Sequence, residues 1–317
     1  MIASDAAGVA RCIERCYGTG YPKRVMYEPD ELARLVRTGA YNGVVAAADS
    51  QILGHIGFTH PTPASTVVEA GTTVVDPAAR GMGLMGRLGL ALGELVISEN
   101  ANGFIHFPTT AHHLMQRASL GSGGRETGLM LAYLPPEARD LEIGAAAPGR
   151  LAVTIVYQPL RHAPHQEIHL PHRYRPLILE LADRVGLSRT PVPAGSTPSA
   201  KTVLESTFDA SRDLQRITIG RIGADVGEEV AALTSSAKAG LVHVDLPMSD
   251  PSIEDAVEQL RRSSFAFAGW LPGWRGYDVL RLQYLAASVG VDEPTLYSAE
   301  AAALMNMIRA ELLDRSF

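Results

Sequence analysis

The sequence predicts an α/β protein with a mixed α+β sheet divided between two domains, and three observations carry this. Helical and strand periodicities alternate through both halves of the chain. At 317 residues the chain exceeds the length at which one core usually stops growing. Residues 135–150 gather Pro135, Pro136 and Pro148 among alanines and glycines, as an interdomain linker does. The expected domains are therefore 1–140 and 150–317.

The elements follow in order. Val9, Cys12, Ile13 and Cys16 repeat at helical spacing over residues 4–17, with Ser4 as N-cap. Pro29 opens a second helix that Gly39 stops. Between them lies a loop with Tyr17, Tyr21 and Tyr27, read as packing over the core. Asp49-Ser50 joins two strands, 43–48 and 52–59, as a tight hairpin. The β-branched run 66–75 is a longer strand, and Leu84, Leu88, Leu92 and Leu95 form the core stripe of a helix over 84–100. A short strand at 104–108, a helix at 111–120 and a strand at 129–134 complete the first half. In the second half, strands are expected at 151–157, 203–208, 214–222 and 241–246. Helices are expected at 174–185, 224–237, 253–262 and 299–315, with two more strands over 265–285 and a loop at 189–199.

Composition excludes several classes. The net charge is −6 and no basic cluster interleaves with aromatics, so nucleic acid is not an expected partner. No apolar run reaches the ~18 residues of a membrane span, and the N-terminal residues lack a secretory pattern. Cys12 and Cys16 are the only cysteines and lie four apart on one helical face, as small buried residues do. They form neither a disulfide framework nor a zinc site, so no metal and a reducing cytoplasm are expected.

The strongest local signal is the strand–loop–helix unit around Arg80-Gly81-Met82-Gly83-Leu84-Met85-Gly86. Glycines let backbone approach a bulky anion closely, and the free amides and positive end of the helix then hold it. No Gly-Lys-Ser/Thr ending follows, which excludes a nucleoside-triphosphatase loop. Gly81, Gly83 and Gly86 have dinucleotide spacing, but two helices and an antiparallel hairpin precede them instead of a βαβ start.

The run Val74-Val75-Asp76-Pro77-Ala78-Ala79-Arg80-Gly81-Met82-Gly83 resembles the acyl-CoA signature of the GNAT N-acetyltransferase superfamily. The element order over residues 4–135 resembles that family too, less its first strand. The loop departs from the pattern at Met85, where the family prefers Gly or Ala. The resemblance implies acetyl-CoA, or another acyl-CoA, as co-substrate. Backbone groups of Thr73, Val74 and Val75 would pair with the pantetheine arm. Amides of Gly81, Met82, Gly83, Leu84, Met85 and Gly86 would hold the diphosphate, with Arg80 and Arg87 beside it. It further implies N-acyl transfer, most simply of acetyl, to a small-molecule amine in a ternary complex.

Such a reaction needs a proton acceptor for the amine and a donor for the thiolate. Glu69 matches the family's carboxylate on the fourth strand, and its apolar neighbours predict a raised pKa. Arg117 occupies the family's tyrosine position, which leaves His112 and His113 as the candidate acids. His55 and His106, inside strands, are read as structural. In the second half, 241–247, 253–264 and 265–285 mimic the end of the same fold without its loop, a degenerate copy that closes the acceptor site or forms a homodimer face. His162, His165, His169 and His172 are read as loop residues, and Trp270 and Trp274 as anchors of a turn. The competing functions are a non-catalytic acyl-CoA sensor or scaffold, and O-acyl transfer or thioester decarboxylation on the same fold.

Overall fold

A computed structural model of the protein describes residues 1–142, 149–193, 195, 200–237 and 239–313. Parts of the expected linker, of the 189–199 loop and of the last helix lie outside these residues.

The first half follows the expected order. Helix α1 spans Ala6–Tyr17 and α2 spans Pro29–Arg37; β1 is Asn42–Ala48, β2 is Gln51–Thr59 and β3 is Val67–Val75. Then come α3 (Leu84–Ser98), β4 (Gly103–His106), α4 (Leu114–Gly121) and β5 (Arg125–Leu134). The hairpin turn is the expected one, with Asp49 and Ser50 both at positive φ, 48° and 66°. Ser4 is not the N-cap of α1. Residues Ala3–Asp5 form a 3₁₀ turn, and the Asp5 carboxylate accepts the Ile2 N–H at 2.7 Å. Helix α1 buries Val9, Cys12, Ile13 and Cys16 against Tyr41, Ile52 and Val74.

The second half comprises β6 (Leu151–Pro159), β7 (Gln166–His169), α5 (Arg175–Val185), β8 (Arg189–Val192), β9 (Val203–Asp209) and β10 (Leu214–Arg221). After these come α6 (Val226–Ala237), β11 (Leu241–Pro247), α7 (Ile253–Arg262), β12 (Ala266–Leu271), β13 (Val279–Leu285) and α8 (Ala299–Leu313). Strand β8 stands where a loop is expected; it pairs in parallel with β7.

Eleven strands form one sheet in the order β1-β2-β3-β4-β6-β5-β12-β13-β11-β10-β9. Strand β6, expected to open the second domain, is inserted between β4 and β5 and is antiparallel to both. The residues flanking the expected linker, Leu134 and Leu151, therefore pair with each other within the first half of the sheet. The rest repeats that half's plan. The run β2-β3-β4-β6-β5 corresponds to β9-β10-β11-β13-β12: each contains one parallel pair, and each inserts its last strand between the two before it.

The halves meet where β5 crosses β12 at Gly128 and Gly269. A Cβ on Gly128 would stand 2.3 Å from the Ala268 carbonyl oxygen, so only glycine permits this approach. The Gln283 side chain secures the join, donating to the Leu129 and Phe267 carbonyls and accepting the Leu131 N–H. One apolar core runs through both halves, from Val67 and Ile105 to Leu282 and Ile308.

Candidate active site

Strand β3 positions the site. It pairs with β4 only over Val67, Val68 and Glu69. Beyond Glu69, no strand among the described residues pairs with its outer edge, while residues 108–110 turn away to bond β6. A bulge falls in the free stretch: between His55 and Gly57 the register slips by one, and Thr72 takes φ 54°. An open strand edge binds an extended ligand through backbone hydrogen bonds, and Thr73, Val74 and Val75 lie along this one.

The strand delivers the chain to the glycine loop through Asp76, which is 2% exposed. One carboxylate oxygen accepts the Ala78 N–H at 3.0 Å and caps the 3₁₀ turn Pro77–Ala79. The other pairs with Arg15 of α1. Gly81 and Gly83 then take φ 81° and 71°, which L side chains rarely adopt. Gly83 is the residue from which α3 starts. The amides of Gly81, Gly83, Leu84, Met85 and Gly86 find no acceptor among the described residues. Five free amides around a helix N-terminus form an anion cradle. Nothing lies within 4 Å of the places where Cβ atoms on Gly81, Gly83 and Gly86 would stand, and Met82 is 64% exposed, so the cradle is open.

The two arginines differ. Arg87 is exposed and has no ion pair among the described residues. Arg80, expected beside the diphosphate, is already held by Asp140 at 2.6 Å and Glu142 at 2.7 Å. The segment carrying these acids crosses the end of α1, where the Leu141 N–H donates to the Cys16 carbonyl.

Glu69 faces away from α3, toward the loop between α1 and α2, and meets Lys23 at 3.3 Å. Both are part-buried, Glu69 keeping 24% and Lys23 27% of its side-chain surface open, so the pair lies in a cleft that solvent reaches. The raised pKa expected of Glu69 is not found. Burial acts to raise it, but Lys23, Arg216 and Arg212 outweigh burial and hold it below the ordinary value. The apolar neighbours in sequence point to the other face of the sheet, so they do not surround the carboxylate. Lys23 shows the mirror effect: burial opposes its charge, Glu69 outweighs burial, and its pKa is raised.

Among the described residues, neither expected acid is hydrogen-bonded to Glu69, whose side-chain partner is Lys23. His112 is half-buried, its Nδ1 has no partner, and burial lowers its pKa; the charges that act on it include Asp140 and Arg80. His113 is exposed, precedes α4 and has its ring 5.8 Å from that of Tyr297. His106 is pushed down to about 4 by burial, as is His55. The His55 Nδ1–H donates to the Val44 carbonyl, so its Nε2 accepts from the Tyr41 hydroxyl at 2.8 Å. Cys16 lies nearer the loop than its place in sequence suggests, its thiol donating to the Val75 carbonyl at 3.4 Å. It is 1% exposed, and its hydrogen-bond partner Cys12 and burial both raise its pKa, so it stays an unreactive thiol.

Several cleft residues carried no signal in the sequence. Lys23 comes from the tyrosine-rich loop and donates to the Glu69 carboxylate at 3.3 Å. Tyr133, on β5, stacks on His243 of β11 at 5.9 Å and carries Arg212 over its ring at 5.2 Å. Phe107 contacts both Tyr133 and Trp274. The lone lysine among tyrosines was the only hint available. His165 and His169, from the histidine-rich segment, bond Ser188 and the Pro193 carbonyl.

No protein-family model matches the chain, and no curated protein matches it. Solved structures similar to it include an N-acetyltransferase from Staphylococcus aureus Mu50, at 14% identity and TM-score 0.41, covering 51% of this chain and 96% of that one. A putative acetyltransferase from Salmonella typhimurium, solved with its cofactor acetyl-CoA, is 14% identical at TM-score 0.42, covering 52% and 94%. The ribosomal-protein-S18-alanine N-acetyltransferase from Escherichia coli is 12% identical at TM-score 0.41, covering 52% and 93%.

Proposed function

We propose that this chain binds an acyl-CoA in the first half of its sheet and transfers the acyl group, acetyl in the simplest case, to the amine of a small molecule. One observation carries the reading: the open edge of β3 runs from Glu69 directly into a cradle of five unpaired amides at the start of α3. The spacing suits a long ligand with an extended, hydrogen-bonding arm and a diphosphate at one end.

In the reaction, the amine nitrogen forms a bond to the thioester carbon, the carbon–sulfur bond breaks, and the amine's proton leaves for the thiolate. Glu69 is held ionised and faces the cleft at the far end of the arm, so it receives the proton of the attacking amine, directly or through water. Lys23 keeps that carboxylate charged. The buried thiols of Cys12 and Cys16 favour direct transfer over an acyl-enzyme. Asp140 and Glu142 must release Arg80, or share it, when a diphosphate arrives.

The test combines calorimetry with coenzyme A and thiol release from acetyl-CoA across a panel of small amines. The reading expects both binding and amine-dependent release. Binding without release from any amine would favour a sensor, and no binding would remove the proposal.

A further inference from the structure

Helix α3 carries an apolar seam on the side that faces water. Its buried side is Leu84, Leu88, Leu92 and Val96. On the opposite side Gly86, Leu90, Gly93 and Ile97 follow at spacings of four, three and four, the spacing by which one helix packs along another. Leu90 is 75% exposed and Ile97 43%; among the large apolar side chains only Leu313, the last described residue, is more exposed than Leu90. Beyond the helix itself, nothing lies within 4 Å of where a Cβ on Gly86 would stand, and at Gly93 only the Leu160 Cδ2 does, at 3.8 Å. The seam is thus an alternation of two hollows and two apolar knobs, with nothing seated on it.

One flank of the seam is charged. Arg87 and Glu94 are both exposed, and neither makes an ion pair among the described residues. Two helical turns, about 10.5 Å, separate them, so they do not pair with each other.

We infer that this face of α3 receives the same face of a second copy of the chain, the two helices lying antiparallel about a two-fold axis between Ala91 and Leu92. In that register Leu90 enters the hollow at the partner's Gly93, and Ile97 enters the one at the partner's Gly86. Symmetry makes each contact twice. Arg87 then stands within about 3 Å, two residues of rise, of the level of the partner's Glu94, on the same flank of the seam. Each unpaired charge so meets its opposite. A parallel pairing would set knob against knob, leave glycine facing glycine and bring Arg87 against its own copy. The fit identifies the occupant, because one helix supplies both the knobs and the hollows, and both signs of charge. A 15-residue helix is about 22 Å long. Such a contact is small among specific interfaces, so dissociation in the micromolar range is expected. The homodimer face falls in the first half of the molecule and not in the repeat, and dimerisation of this kind needs no acyl-CoA.

The experiment is sedimentation velocity on the full chain, without coenzyme A, from low micromolar to near-millimolar concentration. The wild type should show a reversible monomer–dimer equilibrium. Leu90→Glu should weaken it roughly a hundredfold or more, with the melting temperature of the dilute protein unchanged. Gly93→Leu fills the hollow and should weaken it as well, which keeps the test readable if the first variant fails to fold. Glu94→Arg should weaken it about tenfold by setting like charges together, and adding Arg87→Glu should restore it. A chain that stays monomeric at every concentration would overturn the inference. So would a dimer that persists in Leu90→Glu and Gly93→Leu, or a charge swap that does not recover what Glu94→Arg loses.

Discussion

The same corner is built twice in this molecule, open in the first half and closed in the second. After β3, the glycine loop leaves five amides free at the head of α3. After β10, the chain consumes its own. The Ile222 amide donates to the Asp250 carboxylate at 2.9 Å, that of Gly223 to the Thr202 hydroxyl at 3.1 Å, and that of Ala224 to the Ala200 carbonyl at 3.1 Å. The Gly227 amide donates to the Gln259 side chain at 3.0 Å. A cavity of about 410 Å³ persists at this corner, lined by Arg221, Ile222, Pro247 and Tyr277, but Asp250 lines it too. The parallel pairing is longer as well, five residues against three, so the strand edges splay less. An anion site is thus a matter of which amides stay unspent: the second half supplies its own anion in Asp250 and has no use for another.

The largest effect should come from the residue the proposal places at the reacting amine, in the open half. Glu69→Gln removes the proposed proton acceptor and should lower turnover roughly a hundredfold or more, with coenzyme A affinity unchanged by calorimetry. Wild-type turnover would remove Glu69 from the chemistry. Because its folded pKa is depressed, the carboxylate stays ionised as pH falls until below its ordinary 4.5. The acidic limb of the turnover profile assigned to Glu69 should therefore lie below that value, and a limb above it would point to another group.

Next in size is the loop itself. Gly83→Val forces a β-branched residue to φ 71°, a strain of about 1–3 kcal/mol that misaligns the amides behind it. Coenzyme A affinity should fall by roughly tenfold to a hundredfold, following the 1.4 kcal/mol per decade of binding. The matched change in the repeat, Gly223→Ala, would place a Cβ 2.1 Å from the Thr202 amide nitrogen. It should lower the melting temperature through a cost of about 1–3 kcal/mol and leave coenzyme A affinity alone. If both changes weakened coenzyme A binding equally, the contrast between the corners would fail.

Much of the fold was legible in the sequence, and the reasons are local. Asp49-Ser50 between alternating strands encodes a hairpin, and the leucine stripe of α3 encodes its buried face. The glycine loop was legible because positive φ at Gly81 and Gly83 needs glycine. What sequence could not give is set by long-range pairing. Strand β6 reads as the start of something new because nothing in Leu151–Tyr157 says which neighbours it will bond. Strands β7 and β8 were missed for the same reason: four residues each, they exist by pairing with one another. The catalytic environment was hardest. The neighbours of Glu69 in sequence are Val68 and Ala70, which face α3, while the side chain it bonds in space is Lys23, 46 positions before it. A pKa follows the spatial set.

His55 tests the packing of the first half from another side. Its ring is buried and its pKa is pushed down to about 4 from 6.5. The unfolded chain therefore binds a proton that the folded chain refuses, and stability should be full above pH 6.5 and fall as pH drops toward 4. A shift of this size corresponds to about 3 kcal/mol at the acidic end. His55→Gln should flatten that part of the profile of melting temperature against pH. An unchanged acid slope would show that the half-buried His106 or the buried His243, both also depressed, dominates instead.

The smallest effect concerns the acids on Arg80. Asp140 and Glu142 lend this corner a weak version of what Asp250 does in the other, a carboxylate of the chain itself placed where a ligand anion would go. The difference is the partner. Asp250 takes backbone amides, which cannot turn elsewhere, whereas Asp140 and Glu142 take a guanidinium 24% exposed, on a side chain that can swing. The Glu142 side chain is 59% exposed and Asp140 only 10%; solvent-screened ion pairs such as that of Glu142 contribute about 0–1 kcal/mol. Asp140→Asn combined with Glu142→Gln should therefore tighten coenzyme A binding only a few-fold, with a weaker salt dependence for whatever competition remains. Asp250→Asn should leave coenzyme A affinity and stoichiometry as they are, because the loop amides there are also held by Thr202, Ala200 and Gln259. A second bound coenzyme A in that variant would mean that a single carboxylate, and not the spent amides, closes the corner.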